Sequence, residues 1–336
     1  FFISNLISNL GGGNIAIRYG FRGINFSIVS ACASGAHCVG EGFREVRTGR
    51  HDVMLVGGAE AAITPLTIAG FSNMKAMSRR NDEPEAASRP YDRDRDGFVM
   101  GEGSGVLILE SLEHARNRNA NILAEVIGYG ATCDAHHITA VAPGGEGVAR
   151  AAKLALNDAK ISPKAVQVVN SHGTSTPIGD RHEMDFFNSV FGDHAKNLWI
   201  SSSKSMIGHL LGAAGGVESV VCVKTLVEGI VHPTLNLDNL EDLFKTTRKE
   251  NFVGSVRPTG NLQYSGPKKQ TIYDPNDVAR TTIKETNIHN DHEGNLRGPT
   301  KLIAYDPADY ARTTIKETNI HDNRTGPLTS HAYKVP

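Results

Sequence analysis

The stretch Ile24-Asn25-Phe26-Ser27-Ile28-Val29-Ser30-Ala31-Cys32-Ala33-Ser34-Gly35-Ala36 is an apolar run that leads into a cysteine among small residues. The run predicts a β-strand, and the small residues predict a helix that begins just after Cys32 and extends to about Thr48. A thiol at a helix N-terminus faces unpaired N–H groups and the positive end of the helix dipole, and both favour the thiolate. Because the thiolate is the nucleophile, the segment predicts a reactive cysteine; taken alone, a buried structural cysteine explains it equally well.

Composition places the chain among globular proteins. It has 336 residues, 39% of them hydrophobic, and 35 glycines, which suits one large domain or two ordinary ones. The net charge of -1 offers no electrostatic attraction for nucleic acid or for a membrane surface. The four cysteines show neither paired nor metal-type spacing, and no apolar run reaches transmembrane length. We therefore expect a cytoplasmic protein without a metal site.

Strands and helices alternate along residues 1–240. Short apolar runs predict strands at 53–57, 105–110, 124–129, 166–170 and 198–202. Apolar residues at helical spacing predict helices at 147–160, 183–191 and 207–228. This alternation predicts an α/β fold, with a central sheet covered by helices, over residues 1–240.

The character of the sequence changes after Leu240. Residues 241–336 are polar, and the segment 273–289 recurs at 305–321, a period of 32 residues. Near-identical copies are typical of repeat arrays, but each copy has few large apolar residues and can bury little core. We expect a polar tail of short strands or disorder that serves as an interaction segment.

Two histidine motifs favour a catalytic role for Cys32 over a structural one. His172 comes directly after the strand predicted at 166–170, at the strand end where α/β sheets place their sites, although a structural histidine is the alternative. His209 lies at the start of the helix predicted at 207–228, where the helix dipole disfavours the imidazolium form. Lys204 precedes His209, and Glu218 follows on the same helix; a solvated ion pair of little energetic weight is the alternative reading of these two charges.

Three motifs together carry a family resemblance. The segments Ala31-Cys32-Ala33-Ser34-Gly35, His172-Gly173-Thr174-Ser175-Thr176 and Lys204-Ser205-Met206-Ile207-Gly208-His209 occur in this order. They resemble the motifs of elongating β-ketoacyl-acyl-carrier-protein synthases of the thiolase-like superfamily, and the resemblance covers residues 1–240. It implies an incomplete thiolase-like αβαβα layered fold and a homodimer that pairs residues 23–30 across its interface.

The resemblance also implies a role for each matching residue. Cys32 would be the nucleophile that takes an acyl chain, and His172 and His209 would stabilise the enolate formed from a malonyl thioester. Lys204 would position the histidines, with Glu218 as its structural partner. Four residues would contact substrate: Thr174 and Thr176 at the pantetheine arm, Phe71 at the acyl pocket, and Thr139 in a loop near the entrance. The partner would be an acyl carrier protein whose phosphopantetheine carries the substrates, so no separate cofactor is expected.

The chain also departs from the family pattern. It begins about thirty residues before Cys32 and lacks the family's Gly-Phe-Gly-Gly-Thr-Asn loop, which completes the oxyanion hole. We expect a synthase that is truncated at both ends and joined to an unrelated tail, and loss of one oxyanion donor lowers rates by about 100- to 1,000-fold. Two alternatives remain: a non-catalytic binding or assembly protein that acts through its repeat tail, and a thiol hydrolase that uses Cys32 with one histidine. The complete Cys32, His172 and His209 set favours the synthase.

Overall fold

The structure, a computed structural model, describes residues 2–241 together with 286–288 and 298–300. The helices in these ranges are α1 (Phe2–Leu6), α2 (Leu10–Tyr19), α3 (Ser34–Arg47), α4 (Pro65–Asn73), α5 (Leu112–Asn117), α6 (Glu146–Ala159), α7 (Pro177–Phe191), α8 (Lys204–Ile207) and α9 (Ala214–Glu228). The strands are β1 (Val53–Glu60), β2 (Gly103–Glu110), β3 (Val168–Asn170), β4 (Trp199–Ser201), β5 (Thr286–Ile288) and β6 (Gly298–Thr300). Among the helices described here, none is both long and apolar enough to cross a bilayer.

Strands β1 and β2 form an antiparallel pair whose register runs from Val53 opposite Glu110 to Glu60 opposite Gly103. Side chains alternate between the two faces, so Val56 is buried while Leu55 and Ile108 are exposed. Helices α3 and α9 pack against this sheet. Gly42 of α3 allows the close approach, because a Cβ at that position would lie 2.2 Å from the Val56 side chain.

Strands β3 and β4 form a parallel pair, with Asn170 opposite Ser201. Helices α6 and α7 supply most of the apolar core beside them, and full burial of one such side chain stabilises the fold by roughly 1.5–3 kcal/mol. The buried members of this core are Tyr91, Ala149, Met184, Phe186, Phe187, Val190, Phe191, Ala195, Leu198, Ile200 and Leu237. The pair carries the His172 and Lys204 motifs at its carboxyl end, because parallel strands end at the same edge of a sheet.

Most of the predicted elements are confirmed, but three are wrong. Residues 24–29 and 124–129 form no strand, because no described strand lies beside them to complete a ladder. The helix predicted at 207–228 is interrupted: α8 ends at Ile207, Gly208 has φ +72°, and α9 begins only at Ala214. Glycine adopts positive φ without a steric penalty, so the chain turns there instead of continuing the helix.

By its internal contacts the chain divides into two units, Phe1–Pro267 and Lys268–Pro336. In the second unit, β5 and β6 pair antiparallel, with Thr286 opposite Thr300. The repeat tail predicted for 241–336 otherwise lies outside the described residues. The boundary placed at residue 240 remains a prediction.

Candidate active site

Cys32 lies on a tight elbow that leads into α3. Ala31 has φ +50°, a left-handed conformation that costs a non-glycine residue about 1–2 kcal/mol. Ser34 braces the elbow, because its Oγ accepts from the Ser30 N–H at 2.9 Å and donates to the Ala31 carbonyl at 2.7 Å. The brace holds the Cys32 side chain ahead of the first turn of the helix.

His209 lies in the turn between α8 and α9, not at the start of a helix as the sequence predicted. Its backbone N–H donates to Val99 O at 2.7 Å, and its carbonyl accepts from the Gly101 N–H at 3.0 Å. The Leu211 N–H donates to His209 Nδ1 at 3.2 Å, so Nδ1 is an acceptor and the neutral ring carries its proton on Nε2. That Nε2 lies 2.9 Å from Cys32 Sγ and donates a hydrogen bond to the sulfur.

His172 is held by its backbone. Its N–H donates to Glu183 Oε1 at 2.6 Å, and the N–H of Gly173 donates to Glu183 Oε2 at 2.7 Å. Tyr91 Oη donates to the same Oε2 at 2.8 Å. One carboxylate of α7 therefore fixes the loop on which His172 is mounted.

The structure brings Cys32, His172 and His209 together. The two imidazole rings meet edge to face, with centroids 5.3 Å apart, and candidate reactive atoms of all three residues lie within 4.8 Å of one another. The distances alone would suit a metal ion. The hydrogen bond to His209 Nδ1 opposes one, because a metal at Nε2 would force the ring proton onto Nδ1 and against the Leu211 N–H.

The electrostatics favour neutral histidines. Burial, aided by the Lys204 charge, lowers the pKa of His209 from its ordinary 6.5 to about 3. His172 keeps an exposed surface, yet desolvation by the surrounding protein, followed by the Lys204 charge, holds its pKa well below 6.5. The sequence predicted neutrality of His209 from a helix dipole; burial is the cause instead, because His209 is only 3% exposed.

The thiolate predicted from the helix N-terminus is not favoured in the resting site. Burial raises the pKa of the Cys32 thiol, and the Lys204 charge and the residue's own backbone N–H lower it only in part. The charges of Glu218 and Glu60 raise it further. Desolvation thus outweighs the helix terminus, and the resting state is a neutral thiol beside a neutral imidazole.

Lys204 and Glu218 form a buried ion pair. The Lys204 side chain is 1% exposed and that of Glu218 is 17% exposed, so the solvated surface pair considered from the sequence is wrong. Burial raises the pKa of Glu218, and the Lys204 charge opposes the rise. Removing one member of such a pair leaves an uncompensated buried charge and costs about 3–5 kcal/mol.

The four residues predicted to contact substrate lie at different distances from the Cys32, His172 and His209 cluster. Phe71 on α4 packs edge to face on Phe98, and Phe98 packs in the same way on the His209 ring. Just before α7, the hydroxyls of Thr174 and Thr176 form a hydrogen bond, with 2.9 Å between their Oγ1 atoms. Thr139 is exposed, its backbone N–H donates to His137 Nδ1, and no described contact joins it to the cluster.

Sequence reasoning missed two carboxylates that organise the His172 loop. Asp180 accepts from the Thr174 N–H at 3.0 Å and from the Tyr91 N–H at 2.8 Å, and Glu183 holds His172 as described. Burial raises the pKa of Asp180 to about 7, against these backbone donors and Arg95. A signal was available: the two acids are three residues apart on one helix face, immediately after the histidine motif.

Comparisons with known proteins agree with this geometry. Residues 1–115 match the family model described as β-ketoacyl synthase, N-terminal domain, and residues 123–238 match β-ketoacyl synthase, C-terminal domain. Together these matches span well over half of the chain. The chain belongs to the β-ketoacyl synthase family. This confirms the family expected from the three motifs.

Curated relatives extend the comparison. The 3-oxoacyl-[acyl-carrier-protein] synthase 2 of Synechocystis sp. is 51% identical over 239 residues, which cover 71% of this chain and 58% of the relative. The protein of that name from Staphylococcus aureus is 50% identical over 236 residues, 70% of this chain and 57% of the relative. The β-ketoacyl synthase chain described here thus spans less than two thirds of their length.

Solved structures confirm the thiolase-like ketosynthase fold. A type II polyketide ketosynthase, solved in complex with its acyl-carrier protein, gives a TM-score of 0.71 at 37% identity, covering 72% of this chain and 60% of that chain. A β-ketoacyl synthase from Burkholderia phymatum gives a TM-score of 0.68 at 37% identity, covering 74% of this chain and 59% of that chain.

Proposed function

We propose that this β-ketoacyl synthase chain catalyses decarboxylative Claisen condensation in fatty-acid or polyketide chain elongation. The observation that carries the proposal is the Nε2–H of neutral His209, directed at Cys32 Sγ with the His172 ring beside it. A hydrolase that uses one histidine as a base would need an unprotonated Nε2 facing the sulfur. The bond from Leu211 to Nδ1 opposes that tautomer.

In the first half-reaction, Cys32 Sγ attacks the thioester carbonyl of an acyl chain carried on phosphopantetheine. A new carbon–sulfur bond forms, the thioester bond breaks, and the thiol proton of Cys32 leaves with the pantetheine sulfur. Because burial disfavours a free thiolate, proton loss accompanies the attack rather than preceding it.

In the second half-reaction, a malonyl thioester loses carbon dioxide and leaves an enolate. Neutral His172 and His209 donate to the enolate oxygen, where negative charge develops. The enolate carbon attacks the acyl–Cys32 thioester, a carbon–carbon bond forms, and the carbon–sulfur bond to Cys32 breaks. The product is a 3-ketoacyl thioester, and the Cys32 thiolate that leaves takes a proton from water. The buried Lys204 charge favours neutral rings, so the site keeps its donors in the required state.

The partner of this reaction is an acyl carrier protein, and the active form is a homodimer. Two observations support these assignments: the acyl-carrier-protein complex of the similar polyketide ketosynthase, and the exposed apolar segment 24–29 before the nucleophile. The substrates arrive already attached to phosphopantetheine, so the reaction requires no further cofactor.

Intact-mass analysis after mixing the chain with an acyl-carrier-protein thioester tests the proposal. We expect a mass gain of one acyl group that is absent in Cys32→Ala and retained in Cys38→Ala, a matched thiol on α3. A gain that survives Cys32→Ala, or no gain from a folded chain, would contradict the proposal.

A further inference from the structure

The segment that follows α9 runs beside the loop that carries Lys204. Thr234 Oγ1 accepts from the Ser202 N–H at 3.1 Å, and the Leu235 N–H donates to Ser205 Oγ at 2.9 Å. Side-chain hydroxyls therefore replace the backbone partners that a neighbouring strand would provide. His232 lies at the start of this segment.

The His232 ring completes a chain of directed hydrogen bonds. Ser201 Oγ donates to the His232 carbonyl at 2.6 Å, so the same oxygen accepts from His232 Nδ1 at 2.8 Å. Nδ1 also lies 3.0 Å from the Pro233 carbonyl, which can only accept, so Nδ1 carries the ring proton. Nε2 is then an acceptor, and Ser203 Oγ donates to it at 3.0 Å.

The chain of bonds continues to the neighbouring strand. Asn170 Nδ2 donates to Ser203 Oγ at 2.9 Å, so one ring links the ends of β3 and β4. Asn170 lies two residues before His172, and Ser203 lies immediately before Lys204. The parallel ladder of β3 and β4 has only three residue pairs, so a side-chain link at its carboxyl end matters for their alignment.

We propose that His232 is a positioning residue of the active site, which aligns the His172 loop with the Lys204 loop through Ser201, Ser203 and Asn170. It touches none of the three reacting side chains and acts through the two strand ends. Loss of the link lets Lys204 move relative to Cys32, and the sulfur then loses part of the charge that favours its thiolate form.

A second nucleophile is the competing interpretation of a serine beside a histidine. Ser203 is only 4% exposed, so no acyl group can reach its Oγ without rearrangement. The hydrogen bonds of the His232 ring are with uncharged groups, those of Ser201, Ser203 and Pro233. Burial lowers the pKa of His232, which makes it a weak base. Alignment of the two loops is therefore the better account.

The test is the pH profile of Cys32 alkylation by iodoacetamide, followed by peptide mass analysis and paired with thermal unfolding. In His232→Phe, which keeps volume but removes the hydrogen bonds, and in Ser203→Ala, we expect alkylation near neutral pH to slow about threefold to tenfold, with the profile moved to higher pH. Lys204→Met serves as the reference for full loss of the charge and should shift the profile at least as far.

His194→Phe is the matched control. His194 Nε2 donates to the Val166 carbonyl at 2.8 Å, just before the start of β3 and away from its catalytic end. We expect it to lower the unfolding temperature without moving the Cys32 profile. Equal profiles in wild type, His232→Phe and Ser203→Ala would overturn the proposal, and Ser203→Ala alone decides it if His232→Phe does not fold. The inference rests on the proposed function, but alkylation needs no carrier protein, so failure of one is distinguishable from failure of the other.

Discussion

At the scale of single residues, one backbone N–H decides what His209 can do. The Leu211 N–H occupies Nδ1, so the ring presents Nε2–H to Cys32 and acts as a donor to sulfur or to an enolate oxygen. The same burial that keeps the ring neutral makes its protonation costly. His209 therefore contributes a part of the pH dependence of stability that its replacement can isolate.

Stability measurements should reveal this contribution. The unfolded chain binds a proton at His209 below about pH 6.5, while the folded chain binds it only near pH 3, so the free energy of unfolding falls as pH drops through this window. Between pH 6.5 and pH 4.5, we expect the free energy of unfolding to fall by roughly 2 kcal/mol more in the wild type than in His209→Asn. Urea unfolding of both proteins across that range measures the difference. Parallel pH dependences would show that His209 is not held neutral by folding.

Glu183 is the second residue whose contacts predict the effect of its replacement. Its two oxygens accept from His172 N–H, Gly173 N–H and Tyr91 Oη, and an amide in its place would turn one NH₂ toward these donors. We expect Glu183→Gln to destabilise the chain by about 1–3 kcal/mol and to slow condensation. Asp185→Asn, an exposed acid on the same helix, should change neither. Similar behaviour of both variants in unfolding and activity assays would refute the role given to Glu183.

At the scale of elements, glycines let the nucleophile elbow approach α9. A Cβ at Gly35 would lie 2.5 Å from Gly216 N and 3.0 Å from the Gly212 carbonyl, and both of those are backbone atoms that cannot move independently. The first turn of α3 therefore rests directly on the backbone that leads into α9. This crossing sets the distance between Cys32 and the turn that carries His209.

Gly35→Ala should separate the two elements. We expect a loss of about 1–3 kcal/mol in the free energy of unfolding, typical of overpacking, and a larger fractional loss of Cys32 acylation. Gly70→Ala is the matched control, because Gly70 is also helical and nothing lies within 4 Å of a Cβ there. Denaturant melts and intact-mass acylation of both variants provide the comparison. An unaffected Gly35→Ala protein would mean that the crossing is more open than the structure has it.

At the scale of the whole molecule, segment 24–29 carries large exposed apolar side chains before the nucleophile. Ile24 is 44% exposed, Phe26 54% and Val29 81%, and within the described chain these six residues make no backbone–backbone hydrogen bond. The Asn25 carbonyl accepts from Asn9 Nδ2 at 3.3 Å, but the segment has no strand partner among the described residues. An extended apolar segment without a strand partner is a template for pairing with another strand. A second copy of the chain would supply the same segment by two-fold symmetry.

Light scattering tests that pairing. We expect the chain to dimerise and Val29→Asp to weaken association roughly tenfold or more, because symmetry buries the new charge twice. Ile138→Asp, at a 94% exposed position in a loop, should leave the dimer intact. A monomeric wild type, or a dimer indifferent to Val29→Asp, would exclude pairing through this segment.

The sequence by itself determined the chemistry and most of the elements. The period of apolar residues predicted the sheet strands and helices, because burial of one face depends on spacing along the chain alone. The motifs around Cys32, His172 and His209 predicted the family because each is a contiguous stretch of sequence that can be recognised without the fold. The prediction of a strand at 24–29 is wrong because a strand requires a hydrogen-bonding partner, and the sequence of one segment does not determine whether a partner lies beside it.

Only the tertiary structure decided how the site works. Cys32, His172 and His209 are far apart in sequence. Their contact depends on the turn at Gly208 and on the close approach of α3 to α9 at Gly35. The neutral Cys32 thiol and the burial of Lys204 with Glu218 follow from desolvation by residues that are distant in sequence. The proton position on His209 follows from the fold of the turn, which directs the Leu211 N–H onto Nδ1. Protonation states respond to every atom around a group, whereas sequence motifs record only its neighbours along the chain.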